Sequence, residues 1–297
     1  MRAARIHRYG DPSVISIDEV EPPDPGSVSQ GWSERGEVLI SVAATSMNPT
    51  ETALRSGLWP TIALPLTLGW DVAGTVDGVP MIGMLDSGAA AEYAVAPAGR
   101  LVPAPVSVPL VDAAALPLAG MTAWQAVREH ARVEPGERVL INGGGGGIGG
   151  FAVQLAKAAG AYVVATASSR SAAQVKELGA DEVIDYLAGP LSVAEPVDAV
   201  VNCAAIGDRA AGALPGLVRD GGRVVTVATP VPATDTVRAW HVVVRNDPAD
   251  LAALTRMVDD GRVRIDISGR RTLADLPELH RLAEAGGLRG KVVITPS

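Results

Sequence analysis

The sequence is poor in the residues that crosslink chains or hold metals. Its 297 residues include a single cysteine, Cys203, and only four histidines. One cysteine cannot form an internal disulfide, and the histidines show neither an H-E-x-x-H pair nor a Cys/His zinc spacing. No G-x-S-x-G segment marks a serine nucleophile. These absences exclude a disulfide scaffold and a structural zinc site, and they disfavour a serine hydrolase.

Long apolar runs and basic clusters are also missing. No run of 18 apolar residues occurs, and the basic N-terminus is not followed by an apolar signal segment. The net charge of −8 disfavours nucleic acid and acidic membranes as partners. Hydrophobic residues make up 47% of the chain and charged residues 20%, as in globular proteins. We expect a cytoplasmic, two-domain protein that binds a small molecule and neither nucleic acid nor a membrane.

The strongest positive signal is a glycine run between two apolar segments. Val139 to Ile141 are typical of a buried strand, and residues 148–159 carry apolar side chains at helical spacing. A flexible linker would instead have polar, aperiodic flanks. Within the run, the G-x-G-x-x-G pattern of a dinucleotide-binding turn is matched, and the helix start offers free amides to a pyrophosphate. The residues predicted to bind the cofactor there are Gly144, Gly146, Gly147, Ile148 and Gly149.

The segment after the next predicted strand, Tyr162 to Ala167, indicates which dinucleotide binds. NAD sites usually place Asp or Glu there, to hold the ribose 2′-hydroxyl. This chain instead has Ser168, Ser169 and Arg170, which can hydrogen-bond a 2′-phosphate. The two serines could also cap the following helix, and that role is compatible with phosphate binding. The sequence therefore favours NADPH.

Several segments together resemble one family. They are Asn48-Pro49-Thr50-Glu51-Thr52, Gly69-Trp70-Asp71-Val72-Ala73-Gly74, the run from Ala114 to Trp124, the glycine turn, and Arg289-Gly290-Lys291-Val292-Val293-Ile294. In this order they resemble the zinc-independent quinone oxidoreductases of the medium-chain dehydrogenase/reductase superfamily, the zeta-crystallin-like group. The resemblance covers nearly the whole chain.

The resemblance implies an α/β architecture with two domains. Residues 1–112 and 246–297 would form a GroES-like β-barrel catalytic domain, and residues 113–245 a Rossmann domain with a doubly wound parallel sheet. The implied activity is transfer of hydride from NADPH to quinones or α,β-unsaturated carbonyls. An enoyl thioester reductase and a non-catalytic NADPH-binding regulatory protein are the alternatives.

The resemblance also implies roles for three residues. Asn48 would lie near the nicotinamide ribose, Thr122 near the nicotinamide-phosphate end, and Tyr186 at the adenosine 2′-phosphate. The alternatives are a turn-forming asparagine, a buried helix threonine and an ordinary tyrosine at a strand end.

Ligands of doubly wound sheets bind beyond the carboxyl ends of the strands, which adds further cofactor candidates. These are Asn202, Thr226, Val227, Ala228 and Val243. Cys203 has no histidine partner in the sequence, so we interpret it as a buried apolar residue.

The chain departs from its relatives at two sets of positions. Zinc-dependent relatives carry a cysteine near Asn48 and a His-Glu pair where this chain has Trp70-Asp71, so no metal is expected. Trp59 stands where some related reductases have tyrosine. An indole is no proton source near neutral pH, so a reduced enone would take its proton from water. Trp59 and Trp70 are candidate pocket residues, although Trp59 could equally be structural.

The segment after Gly78 is about a dozen residues shorter than the family pattern, which predicts a trimmed lobe at 78–84 and a more open substrate cleft. The substrate is expected to be small, planar and apolar. Trp240 to Arg245 form an apolar edge strand, and such a strand pairs with its copy in relatives, so we expect a homodimer.

Overall fold

The computed structural model describes residues 1–24, 36–58 and 62–297. Trp59, predicted to line the pocket or to be structural, lies outside these residues. The strands are β1 (Arg2–Ile6), β2 (Ile15–Glu19), β3 (Glu37–Ser46), β4 (Leu66–Thr67), β5 (Asp71–Val76), β6 (Val79–Met84), β7 (Tyr93–Pro97), β8 (Leu101–Pro103), β9 (Arg138–Asn142), β10 (Tyr162–Ala167), β11 (Glu182–Asp185), β12 (Val197–Asn202), β13 (Val218–Thr226), β14 (Arg238–His241), β15 (Ile267–Thr272) and β16 (Lys291–Thr295).

The helices follow the same order along the chain. They are α1 (Thr50–Ser56), α2 (Leu110–Ala113), α3 (Pro117–Trp124), α4 (Gly147–Ala158), α5 (Ala172–Glu177), α6 (Asp208–Ala213), α7 (Pro248–Asp259) and α8 (Leu276–Glu284). A π-helical segment, Gln125–His130, continues α3. No helix within the described ranges is long and apolar enough to cross a membrane.

The chain divides into two compact units. The first comprises Met1–Leu118, Asn246–Asp259 and Ile267–Ser297, and the second Ala119–Arg245 and Asp260–Asp266.

The unit boundaries differ from those expected at 112/113 and 245/246. Residues 113–118 belong to the first unit, where the Leu118 amide donates to Asp71 Oδ1 at 2.7 Å. Residues 260–266 belong to the second, because the Arg264 backbone and the Gln154 side-chain amide exchange hydrogen bonds of 2.7 and 2.9 Å.

The second unit is built on a six-stranded parallel sheet of order β11-β10-β9-β12-β13-β14. Numbered from β9, this is the 3-2-1-4-5-6 order of the Rossmann fold. Strands buried on both faces appear in sequence as continuous apolar runs, and Val139, Leu140 and Ile141 of β9 have no exposed surface. The predicted doubly wound parallel sheet is confirmed.

The edge strand of this sheet differs from its predicted range. The apolar run Trp240 to Arg245 predicted a strand, whereas β14 spans Arg238–His241. β13 ends at Thr226, which pairs with His241, so the pairing of β14 stops at that residue. The Val242 amide donates one further hydrogen bond, to the Thr226 carbonyl. Val243 lies beyond this point and is 79% exposed.

The first unit contains a seven-stranded sheet and a three-stranded sheet of order β2-β1-β4. The ten-residue β3 is central, since it pairs with β5, β7 and β16. The C-terminal strand β16 is thereby joined to a sheet made by the first hundred residues.

The shortened segment after Gly78 is a two-residue hairpin turn. Asp77 and Gly78 both have positive φ angles, 49° and 80°, which is the type I′ geometry that suits the twist of paired strands. Val76 and Val79 pair directly on either side of the turn. The shortening therefore leaves the β5–β6 ladder intact, and its effect on the substrate cleft stays a prediction.

Candidate functional site

The glycine run forms the strand-to-helix turn at the carboxyl end of β9. The residue with the left-handed conformation is Gly143, at φ +89°, rather than Gly144, Gly146 or Gly149, the glycines of the G-x-G-x-x-G pattern. A Cβ on Gly149 would overlap the Gly143 carbonyl, so only glycine allows α4 to approach the turn this closely. In a G-x-G-x-x-G turn the third glycine allows close packing of the helix, and Gly149 has that position and geometry.

The start of α4 is open to a ligand. The N-cap is Gly146, which is exposed, and a Cβ on it would meet nothing closer than the Gly143 carbonyl at 3.4 Å. The amides of Gly147, Ile148 and Gly149 belong to the first turn, where helical N–H groups have no acceptor within the helix. Such a helix start binds the phosphates of a dinucleotide.

A polar residue on the neighbouring strand fixes this turn. Thr166 of β10 accepts the Gly143 N–H through its hydroxyl at 2.7 Å and the Gly144 N–H through its carbonyl at 2.9 Å. Its hydroxyl proton goes to Asn142 Oδ1 at 2.8 Å. The hydroxyl of Thr166 is thus both acceptor and donor, and its orientation is determined.

The hydrogen bonds continue across the sheet from Asn142. Its Nδ2 donates to Asn202 Oδ1 at 2.8 Å, and Asn202 Nδ2 donates to Thr226 Oγ1 at 3.1 Å. The Thr226 hydroxyl then donates to the Thr229 carbonyl at 2.7 Å. We call Thr166, Asn142, Asn202 and Thr226 the polar ladder; it crosses the carboxyl ends of four adjacent parallel strands.

The ladder changes how two cofactor candidates are interpreted. Asn202 and Thr226 are fully buried, and their side chains bond within the protein. Val227 also donates its amide internally, to the Asn202 carbonyl. The contacts of Asn202, Thr226, Val227 and Ala228 with a cofactor stay a prediction. The supporting role of Thr166 and Asn142 was not predicted from the sequence, although a single threonine in an otherwise apolar strand indicates a polar contact.

The segment predicted to select the cofactor follows β10. Ser169 and Arg170 are exposed, whereas Ser168 is buried. The expected capping by Ser168 and Ser169 is wrong, because α5 begins one turn later with Ser171 at its N-cap. Tyr186 follows the adjacent parallel strand β11 and is 46% exposed. Arg170 and Tyr186 thus follow the carboxyl ends of two neighbouring parallel strands.

Of two other residues of the second unit, Thr122 is buried and Cys203 is half-buried. Thr122 lies within α3, which accords with its interpretation as a helix residue and leaves its contact with the cofactor a prediction. Burial raises the pKa of Cys203 to about 12. The Cys203 thiol therefore stays protonated at neutral pH and is no nucleophile.

The first unit contains a buried charged cluster, which we define as Ser46, Asn48, Glu51, Asp71 and Lys291. All five residues are buried. Lys291 Nζ donates to Asn48 Oδ1 at 2.7 Å and to the Met47 carbonyl at 3.1 Å, and lies 3.5 Å from Asp71 Oδ2. Ser46 Oγ and Asn48 Nδ2 also donate to Asp71 Oδ2, the second at 2.8 Å.

This cluster uses both ends of the Asn48 amide, so the structure gives that side chain internal partners at each end. Its predicted place near the nicotinamide ribose stays a prediction. Trp70, the other predicted pocket residue, is half-buried against the apolar core of β1, α1 and α8.

Glu51 is the third charged residue of the cluster. Burial, with repulsion from Asp71, raises the pKa of Glu51 to about 8. Its Oε2 accepts the Gly69 N–H at 3.2 Å, and its Oε1 has no hydrogen-bond partner among the described residues. Glu51 is therefore a neutral carboxylic acid at pH 7. Glu51, Asp71 and Lys291 are far apart in the chain, and no motif indicates that they come together.

Known proteins match the whole chain. The family descriptions that match are "Alcohol dehydrogenase GroES-like domain" at residues 34–82 and "Zinc-binding dehydrogenase" at residues 178–294. The chloroplastic quinone-oxidoreductase QR1 of Triphysaria versicolor is 30% identical over 344 residues, covering 100% of this chain and 98% of that protein. Because the alignment is longer than 297 residues, that relative has segments that this chain lacks.

Solved structures agree with this match. The quinone oxidoreductase of Coxiella burnetii superposes with a TM-score of 0.86 at 29% identity, covering 100% of this chain and 99% of that one. A mycobacterial protein complexed with NADPH gives a TM-score of 0.86 at 26% identity, with complete coverage of both chains. The predicted GroES-like and Rossmann architecture is confirmed.

One family description names zinc, and the donors in this chain do not fit it. Within residues 1–24, 36–58 and 62–297, no three His, Cys, Asp or Glu side chains come together. The buried carboxylate of Asp71 lies 3.5 Å from the ammonium of Lys291, which would repel a metal ion there. The chain therefore belongs to the zinc-independent quinone oxidoreductases of the medium-chain dehydrogenase/reductase superfamily.

Proposed function

We propose that this oxidoreductase uses NADPH to reduce quinones or α,β-unsaturated carbonyls without a metal. The observation that carries the proposal is the open glycine turn, together with the serines and the arginine that follow the next strand where an NAD site would have a carboxylate. NADPH, when bound, supplies the hydride. The structure of the similar mycobacterial protein, which was solved with NADPH, supports this cofactor.

The chain's own residues have three tasks in this proposal. The first-turn amides of α4 bind the diphosphate, and the polar ladder keeps the turn in the geometry that presents them. Arg170 and Tyr186 bind the 2′-phosphate, Arg170 through charge-assisted hydrogen bonds. The acceptor is a small, planar, apolar molecule, and the proton that completes its reduction comes from water.

Steady-state kinetics test the activity. We expect sustained oxidation of NADPH with at least one member of a panel of quinones and enones, and slower oxidation of NADH at the same concentration. Turnover only with enoyl thioesters would support the enoyl thioester reductase. Tight binding of NADPH with no turnover on any acceptor would support the regulatory protein and exclude the enzyme.

The metal-free part of the proposal has its own test. Purified protein should contain no stoichiometric zinc by elemental analysis, and a chelator should leave turnover unchanged. Loss of turnover on chelation, restored by zinc, would show that the metal-free assignment is wrong.

We also propose a cytoplasmic homodimer. The edge of β14 is the feature that a second copy would extend, because Arg238–His241 pair only with β13 among the described residues. Light scattering should give twice the mass of the chain. Replacing Trp240 by proline at this edge should give a monomer, whereas a monomeric wild type would contradict the assembly.

A further inference from the structure

The Lys291 ammonium is surrounded by oxygen atoms in the first unit. The nearest are Asn48 Oδ1 at 2.7 Å, the Met47 carbonyl at 3.1 Å and Asp71 Oδ2 at 3.5 Å. The carboxyl group of Glu51 is buried in the same cluster, where the charges of Asp71 and Lys291 act on its pKa. An amide oxygen, a carbonyl oxygen and carboxylate oxygens are the ligand types that hard cations take in proteins.

The charges of the cluster balance around one positive charge. Asp71 and Lys291 neutralise each other, and Glu51 remains protonated because burial and Asp71 oppose its ionisation. Glu51 Oε1 is buried and has no partner among the described residues. Glu51 thus adds a second buried carboxyl group to the cluster without adding a second negative charge. Removing that cation would leave Asp71 buried without a counter-ion, which is strongly unfavourable.

We propose that the charged cluster is a cation-binding site whose resident cation is the protein's own Lys291 ammonium. When the side chain of Lys291 is shortened, the same oxygens should bind a free alkylammonium ion. In the intact protein, the fixed ammonium holds the amide of Asn48 and ties β16 to the segment between β3 and α1. The inference concerns the first unit alone and stands whether or not NADPH is the cofactor.

Chemical rescue tests the site. Lys291→Ala removes the ammonium and three methylene groups, which n-propylammonium replaces. We expect this variant to unfold at a lower temperature than the wild type, and n-propylammonium to raise its Tm saturably by roughly 2–4 °C. 1-Propanol, which has a similar shape and no charge, should not raise it.

Lys291→Met is the matched control, because its apolar side chain fills the space without a charge. It should be destabilised and gain nothing from n-propylammonium. The proposal is overturned if n-propylammonium raises the Tm of Lys291→Ala no more than that of the wild type.

A charge-balanced pair of variants covers the case in which the single variants do not fold. Asp71→Asn removes the charge that Lys291 neutralises, so the double variant Asp71→Asn/Lys291→Met should have a higher Tm than Lys291→Met alone, or should fold where that variant does not. A double variant no more stable than Lys291→Met, or equally unable to fold, would show that Lys291 does not act as the cation of the site.

Discussion

The hydroxyl of Thr166 lies 2.7 Å from the amide nitrogen of Gly143, one residue beyond the end of β9. Thr166 also accepts the next amide, that of Gly144, through its own carbonyl at 2.9 Å. Two successive amides of the glycine turn are therefore held by one residue of the neighbouring strand. The turn is shaped by the sheet before any ligand arrives, so less ordering remains to be done on binding.

Replacing Thr166 by valine tests this support. Valine has nearly the same shape but leaves the Gly143 amide and Asn142 Oδ1 without their buried partner, which costs about 1–3 kcal/mol per group. We expect a lower Tm and at least a tenfold weaker affinity for NADPH by fluorescence titration. Thr166→Ser keeps the hydroxyl and should retain most of the affinity. Equal losses in the two variants would show that the methyl group, rather than the hydroxyl, is what matters.

The two glycines Gly149 and Gly146 should respond differently to alanine. A methyl group on Gly149 overlaps the Gly143 carbonyl, so Gly149→Ala should lower the Tm markedly or prevent folding. Gly146→Ala has room within the protein and a φ of −88°, so its Tm should stay near that of the wild type. If Gly146 faces the pyrophosphate, this second variant nevertheless binds NADPH at least tenfold more weakly. Unchanged affinity for NADPH in a folded Gly146→Ala protein would show that the pyrophosphate does not lie against Gly146.

The choice between NADPH and NADH is expected to depend on Arg170. Hydrogen bonds to a charged group contribute about 1.5–3 kcal/mol, so Arg170→Ala should weaken NADPH binding roughly 10- to 100-fold. NADH lacks the 2′-phosphate, and its affinity should change little. Arg209→Ala, at an exposed position of α6, is the matched control. Equal losses for NADPH and NADH would contradict the 2′-phosphate assignment.

Stability of the first unit should depend on pH through Glu51. The pKa of Glu51 is about 8 in the folded protein against an ordinary value of 4.5, so the folded state holds a proton that the unfolded chain has released. The stability due to this proton is complete below pH 4.5, and it is lost progressively as the pH rises to about 8. Glu51→Gln cannot ionise, and its amide oxygen can still accept the Gly69 N–H.

The Glu51→Gln variant should therefore gain Tm relative to the wild type as the pH rises from about 4.5 to 8, and should gain little below that range. Thermal unfolding followed at several pH values measures the difference. Glu195→Gln makes the same chemical change at an exposed position and should follow the wild type. A difference that is constant with pH would show that folding does not raise the pKa of Glu51.

The sequence predicted the second unit better than the charged cluster. Strand β10 was predicted at its observed bounds, because a parallel strand buried on both faces is an unbroken apolar run between turn residues. β14 was misplaced, since the apolar run that includes Val243 continues after the pairing partner has ended. A single sequence records where a strand could form and does not record where its neighbour stops.

Contacts between distant segments were the harder part. Thr166 and Asn142 support the glycine turn because two parallel strands bring them to the same level, which depends on the register between the strands. Lys291 and Asp71 were both quoted as motif residues, and nothing in either motif indicates that they form a buried pair.

The separation of this pair bears on the order in which the protein can fold during synthesis. Asp71 leaves the ribosome 220 residues before its counter-ion, and the entire stretch Ala119–Arg245 is made in the interval. The Rossmann unit can thus acquire nearly all of its strands while the nascent barrel still carries an unneutralised carboxylate. Completion of the barrel waits for the translation of β16, so the part of the enzyme that begins first is the part that is finished last.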